Sequence, residues 1–167
     1  MRFSYGPNAK QIMPWAEAII EEILIRAGIA GAIVTSTKRT PADQARIMYA
    51  NLNGPGLDRR RYIERQLRLY GDNGDLVIRV FEQQLAIGAT AADTMHAMEQ
   101  KIIQLGPQKV SAHCIDDADR EVLDIAPLSI PDSRKKAFES AVSSASGVTK
   151  FIKYPIDPAY HIELKKG

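Results

Sequence analysis

The sequence predicts an α+β protein: a small, mostly antiparallel sheet carrying the functional residues, packed by helices, with a helical insertion in the middle of the chain. Three observations carry this. The chain opens with apolar residues at helical spacing, short β-branched runs lie in both flanks, and the stretch from about 57 to 106 is helical in character throughout. A length of 167 residues suits one domain over 1–167, long enough to bury a core without disulfides or a structural metal.

In chain order, Ile12, Trp15, Ile19 and Ile23 mark one face of a helix over 9–27, widened by Ile20 and Leu24, with Pro14 near its start and Gly28 as its stop. GAIVTST (31–37) reads as a strand, and PADQARIMYANL (41–52) as a helix with Pro41 at its first position and Thr40 as its cap. Asn53-Gly54-Pro55-Gly56 breaks that helix, and breaks at Gly71–Gly74 and Gly88 divide the middle third into three helices. From 108 the runs KVSAHCI, EVLDIAP, VTKFIKYP and YHIEL read as strands, with a helix over 133–146 capped by Asp132 or Ser133 and ended by Gly147.

A hydrophobic fraction of 45% and a charged fraction of 25% are those of a globular protein, and a net charge of +2 gives no general case for nucleic acid. The single cysteine, Cys114, precludes an internal disulfide framework and fits a reducing compartment. MRFSYGPNAK has no apolar h-region, so synthesis in the cytoplasm without a signal peptide is expected, and no apolar run approaches the roughly 18 residues of a membrane span.

Three histidines are available to bind a metal. His96 lies in a helical stretch with Gln100, not a second histidine, one turn on, and reads as a surface or packing residue. His113 and His161 lie in SAHCI and YHIEL, read as strands, where alternate side chains share a face; Cys114 then points away from His113 and reads as a small buried hydrophobe. Asp124 is flanked by Leu123 and Ile125, and a carboxylate in such a run needs a partner or a metal to offset its desolvation. Asp116, Asp117 and Asp119 read instead as a solvated turn. By spacing alone, His113, Asp124 and His161 are either a ligand triad or ordinary hydrogen-bonded residues.

IVTSTKRTPADQARIMYANL (33–52) resembles the strand-to-helix segment of the zinc D-alanyl-D-alanine carboxypeptidases and L-alanyl-D-glutamate endopeptidases of peptidoglycan, in the fold group of lysostaphin and the hedgehog domain. Ser36, Arg39 and Gln44 match its first block; Ser111, His113 and Asp124-Ile125 its second; Tyr160-His161, followed by Glu163, its third. The resemblance covers roughly 31–52 and 108–164, and the helical middle carries no motif of the family. There are two departures. The family's metal Asp falls where this chain has Arg120, so Asp124 takes that part across a longer loop; and its usual base falls on Pro158, which leaves Asp157, the preferred candidate, or Glu163.

The resemblance implies Zn2+ held by His113, Asp124 and His161, with Asp157 or Glu163 as general base. It implies Arg39 as stabiliser of the developing oxyanion or binder of a substrate carboxylate, with Gln44 and Ser111 as substrate-side residues and peptidoglycan peptides as partners. Two rivals stand beside it. One is a peptidoglycan-binding module of the same fold without catalysis. The other is a nucleic-acid binder using the helix that carries Arg59, Arg60, Arg61, Arg65 and Arg68; near-neutral net charge and few aromatics argue against nucleic acid as a partner.

Overall fold

The computed structural model describes residues 2–54 and 58–167. Pro55 and Gly56, predicted as part of a helix break, and Leu57, at the start of the predicted insertion, lie outside the described residues. The chain divides into two compact units, Met1–Lys38 with Ile115–Gly167, and Arg39–Cys114.

The first unit holds β1 (Phe3–Tyr5), α1 (Pro14–Arg26) and β2 (Ala32–Ser36) before the chain leaves it. The second unit consists of α2 (Pro41–Leu52), α3 (Arg59–Leu69), α4 (Asp72–Ala86), α5 (Ala91–Leu105) and the single turn α6 (Pro107–Val110). The chain then returns to the first unit for β3 (Arg120–Ile125), α7 (Lys135–Ser143), β4 (Val148–Ile152) and β5 (Tyr160–Lys165). Mixed helix and sheet, with the sheet mostly antiparallel, is the predicted α+β class.

The five strands run in the order β1-β2-β3-β5-β4. Among the described residues only β1 pairs in parallel, with β2; the pairs β2–β3, β3–β5 and β4–β5 are antiparallel. The three-residue β1 has too few residues to show a period, and the sequence did not reveal it.

One face of this sheet is a packed core. Val34, Leu123, Ile125, Tyr160, Ile162 and Leu164 pack with Ile20, Ile23 and Leu24 of α1 and Phe138 and Val142 of α7. The period of two then assigns His161 and Glu163 to the opposite face of β5, and Asp124 to the opposite face of β3. Tyr160 is fully buried, its ring 5.0 Å from that of Phe138 and 6.0 Å from that of Phe151, in the packing role its position beside His161 predicts. The helical unit has its own core, built on Met48, Leu52, Ile78, Phe81, Met98 and Ile102.

Four local expectations are corrected. KVSAHCI forms no strand: Gly106 has φ 93°, Pro107 starts α6 at its first position, and Ala112–Cys114 is a turn of 3-10 helix. Helix α1 starts at Pro14, not near residue 9, because the chain before it turns through the Ala9 N–H to Gly6 carbonyl bond and ties Lys10 N–H to Thr37 Oγ1 at 2.8 Å. Helix α7 runs only over Lys135–Ser143; Asp132 pairs with Lys135 at 2.7 Å and caps nothing, and a 3-10 turn over Asp132–Arg134 takes the predicted first turn. Gly74 lies inside α4 and does not end a helix. By contrast, α2 spans 41–52 as predicted, with a complete Thr40–Asp43 capping box.

Of the four described glycines with left-handed backbone, Gly88 and Gly147 differ in surroundings. Gly88, φ 71°, has nothing within 4 Å of an added Cβ. At Gly147, φ 88°, that Cβ falls 2.8 Å from Ile19 Cδ1 and 3.1 Å from the Lys165 carbonyl oxygen. Gly88→Ala is therefore expected to cost about 1 kcal/mol of backbone strain. Gly147→Ala adds a collision with main chain and is expected to cost more than about 2 kcal/mol. Urea unfolding of both variants beside the parent checks the ranking; equal losses would mean that the collision at Gly147 relaxes freely.

Candidate metal centre

Strand pairing makes half of this site. In the β3–β5 register Asp124 stands directly opposite His161, with Ser36 of β2 paired to Asp124 on its other side. Residues directly opposite on antiparallel strands share a face with their Cβ atoms about 4.5–5.5 Å apart. Asp124 Oδ1 accordingly lies 2.9 Å from His161 Nδ1. The other ring nitrogen, Nε2, faces Glu163 Oε1 at 3.4 Å, so the two carboxylates hold opposite edges of one imidazole.

Glu163 is itself tied down. Lys150 Nζ lies 3.2 Å from its Oε1, and Arg120 donates to its Oε2 at 3.3 Å. Arg120 occupies the position at which the resembled family has its metal Asp, and here it serves as a clamp on a carboxylate. Burial alone would raise the Glu163 pKa; the hydrogen bonds and charges of Lys150 and His161 outweigh it and hold the group below the ordinary carboxylate value. For His161, burial alone would lower the pKa, but hydrogen bonding and charge from Asp124, then from Glu163, leave it raised above 6.5.

His113 is the penultimate residue of the helical unit and is buried. The turn that carries it is fixed locally: its N–H reaches Ser111 Oγ at 3.3 Å, its carbonyl accepts the Arg39 N–H at 2.8 Å, and the Cys114 N–H donates to the Ser111 carbonyl at 3.0 Å. Ser111 thus secures a turn, where the sequence predicts a shared strand face. His113, Asp124 and His161 each offer one ligand atom, and these atoms all lie within 4.8 Å of one another. Two imidazoles and a carboxylate, largely out of water, are a donor set suited to zinc, with a fourth position left for water or substrate.

The remaining candidates have partners of their own. Asp157 lies in the turn before β5, where its Oδ1 accepts the Ala159 N–H at 3.0 Å. The Arg39 guanidinium donates to Gln44 Oε1 at 3.0 Å, and Gln44 is fully buried on the first turn of α2. His96 is exposed and lies 3.8 Å from Glu99, in keeping with its surface assignment. Asp117 and Asp119 form a turn closed by the Asp119 N–H to Asp117 Oδ1 at 2.9 Å, and Lys38 donates to the Asp117 carbonyl at 2.7 Å. On α3, Arg60 pairs with Glu64 and Arg61 with Asp58, each at 3.1 Å, which neutralises part of the basic helix.

No family model, curated protein or solved structure matches the chain.

Two solution properties follow from the protonation of these groups. Its two carboxylates favour the protonated form of His161, so the stability this gives the metal-free protein is complete below about pH 6.5 and is lost as the pH rises through the raised folded value. A zinc ion held by His161 would need the imidazole deprotonated, so apparent zinc affinity is expected to rise about tenfold per pH unit across the same window, with one proton released. Calorimetry in buffers of different ionisation enthalpy measures it; pH-independent binding would exclude His161 as a ligand. Separately, burial, reinforced by Asp43 and opposed by Arg39, pushes the Cys114 thiol up to about 11. Its alkylation at pH 8 is expected to be on the order of a hundredfold slower in the native protein than in the unfolded chain, measured with iodoacetamide.

Proposed function

We propose that this protein is a zinc-dependent peptidase of bacterial cell wall, hydrolysing an amide bond in the stem peptide or cross-link of peptidoglycan. The observation that carries the proposal is the group His113, Asp124 and His161, whose ligand atoms lie within 4.8 Å of one another. It is the same set of residues on which the resemblance of the flanks converges. The helices contribute no span: none of the described ones is long and apolar enough to cross a membrane. Action on the wall would follow release or delivery by another system, as for a phage lysin or an injected toxin.

Zinc bound by these three side chains would lower the pKa of its bound water towards about 7 and polarise the scissile carbonyl. The geometry favours separate roles for the two candidate bases. Asp124 faces Nδ1 of His161, so a metal held by the two residues would use that edge of the ring. Glu163 then holds the Nε2–H on the far edge of the ring, fixing tautomer and orientation. Asp157 is left to take the proton of the attacking water and return it to the leaving amine. Arg39, oriented by Gln44, presents a planar fork for a substrate carboxylate or the developing oxyanion.

Different losses are expected from the variants. Purified protein should bind about one zinc per chain and release new amine ends from peptidoglycan, and His113→Ala or His161→Ala should lose both. Glu163→Gln should weaken zinc binding by about 10- to 100-fold. Asp157→Asn should keep zinc and lose turnover by about 100-fold or more. Metal analysis beside muropeptide digestion gives all four results. Zinc bound without any cleavage would favour the peptidoglycan-binding module, a reading that draws on the hydrogen bond of Asp157 to its own loop. Salt-dependent DNA binding that needs no metal would favour the arginine-rich helix as the functional surface.

A further inference from the structure

The Arg39 guanidinium has only N–H groups to offer, so the Gln44 atom it meets at 3.0 Å must be the carbonyl oxygen, Oε1. That choice fixes the amide: Nε2 points the other way, to Tyr70 Oη at 2.9 Å. Gln44 is fully buried, so water does not replace either bond. Tyr70 stands at the break between α3 and α4, close against Gly74. A Cβ at Gly74 would fall 2.3 Å from Tyr70 Cβ. The main chain of Arg39 is anchored independently, its N–H on the carbonyl of His113 at 2.8 Å.

We propose that Tyr70 is a positioning residue for substrate binding: through Gln44 it holds the Arg39 guanidinium in the orientation that takes the carboxylate of a stem peptide. The proposal rests on the peptidase reading above and assigns a part of substrate recognition to the helical unit, outside every motif of the resembled family. Without the tyrosine hydroxyl, the buried Nε2 of Gln44 loses its acceptor. The amide is then free to rotate, and the guanidinium loses the Gln44 contact that helps to fix its plane for a bidentate carboxylate.

The test compares the zinc-loaded full chain with its Tyr70→Phe variant, titrated calorimetrically with a synthetic stem pentapeptide as the C-terminal acid and as the amide. Zinc content and thermal midpoint are measured on both proteins. The parent is expected to prefer the acid by about tenfold or more, and Tyr70→Phe to bring the preference within about threefold at unchanged zinc content. Gln44→Met, which keeps the volume and removes both hydrogen bonds, should reproduce that loss. Acid preference retained in Tyr70→Phe, or acid and amide weakened equally, overturns the proposal. A parent that cleaves peptidoglycan without preferring the acid overturns it too, and leaves the peptidase reading in place. A parent that neither binds the peptides nor cleaves peptidoglycan removes the peptidase reading and this proposal together.

Discussion

The pairing of Asp124 with His161 across β3 and β5 is the constraint on which the candidate centre depends. Sheet register is discrete: sliding one strand by a single residue turns every side chain to the other face. Here the register is set by the apolar set on the core side, where Leu123, Ile125, Tyr160, Ile162 and Leu164 are all buried at 1% exposure or less. Packing of the hydrophobic face therefore dictates which polar residues meet on the other. Asp124 opposite His161 is a consequence of a well-packed core on α1 and α7, and the polar pair needs no separate device to align it.

Holding two carboxylates and an imidazole largely out of water has an energetic cost, because each ionised group loses hydration. The sheet offsets it by alternating the charges. Asp124 and Glu163 take the two nitrogens of His161, and Glu163 in turn meets Lys150 from β4 and Arg120 from β3. Every member sits on β5 or on a strand adjacent to it, so the network is carried by one ladder. Arg120 clamps Glu163, and the carboxylate of the candidate triad lies two repeats of the pleat further along β3, at Asp124.

His113 reaches its place by different means. It comes from no strand, and a short run of local bonds does the work: Gly106 with left-handed backbone, Pro107 opening a single helical turn, and the Ser111 side chain closing on the His113 N–H. The link between the His113 carbonyl and the Arg39 N–H then joins two segments 74 positions apart in the chain. Arg39, Gln44 and Tyr70 extend that link within the helical unit through hydrogen bonds whose donors and acceptors are fixed by chemistry. The acidic turn through Asp117 and Asp119 carries the chain between His113 and β3 and keeps its charges at the surface.

Much of the architecture was legible because it rests on local, periodic signals. Thr40, Pro41 and Asp43 specify the start of α2 by capping geometry alone, Gly71 and Gly88 separate the middle helices, and alternation in YHIEL assigns Tyr160 inward and His161 outward. The residue types of the triad were legible as well. What misled was KVSAHCI, whose β-branched and apolar residues suggest a strand although Gly106 and Pro107 wind it into a turn, and β1, which is too short to have a period. The sequence by itself determined the α+β class, the main helices and the histidines and aspartate available to bind a metal. Only the tertiary structure decided which edge of His161 each carboxylate takes, that Arg120 clamps Glu163, and that Tyr70 holds Gln44. These are contacts between residues far apart in the chain, set by strand register and side-chain packing, and no periodic pattern encodes them.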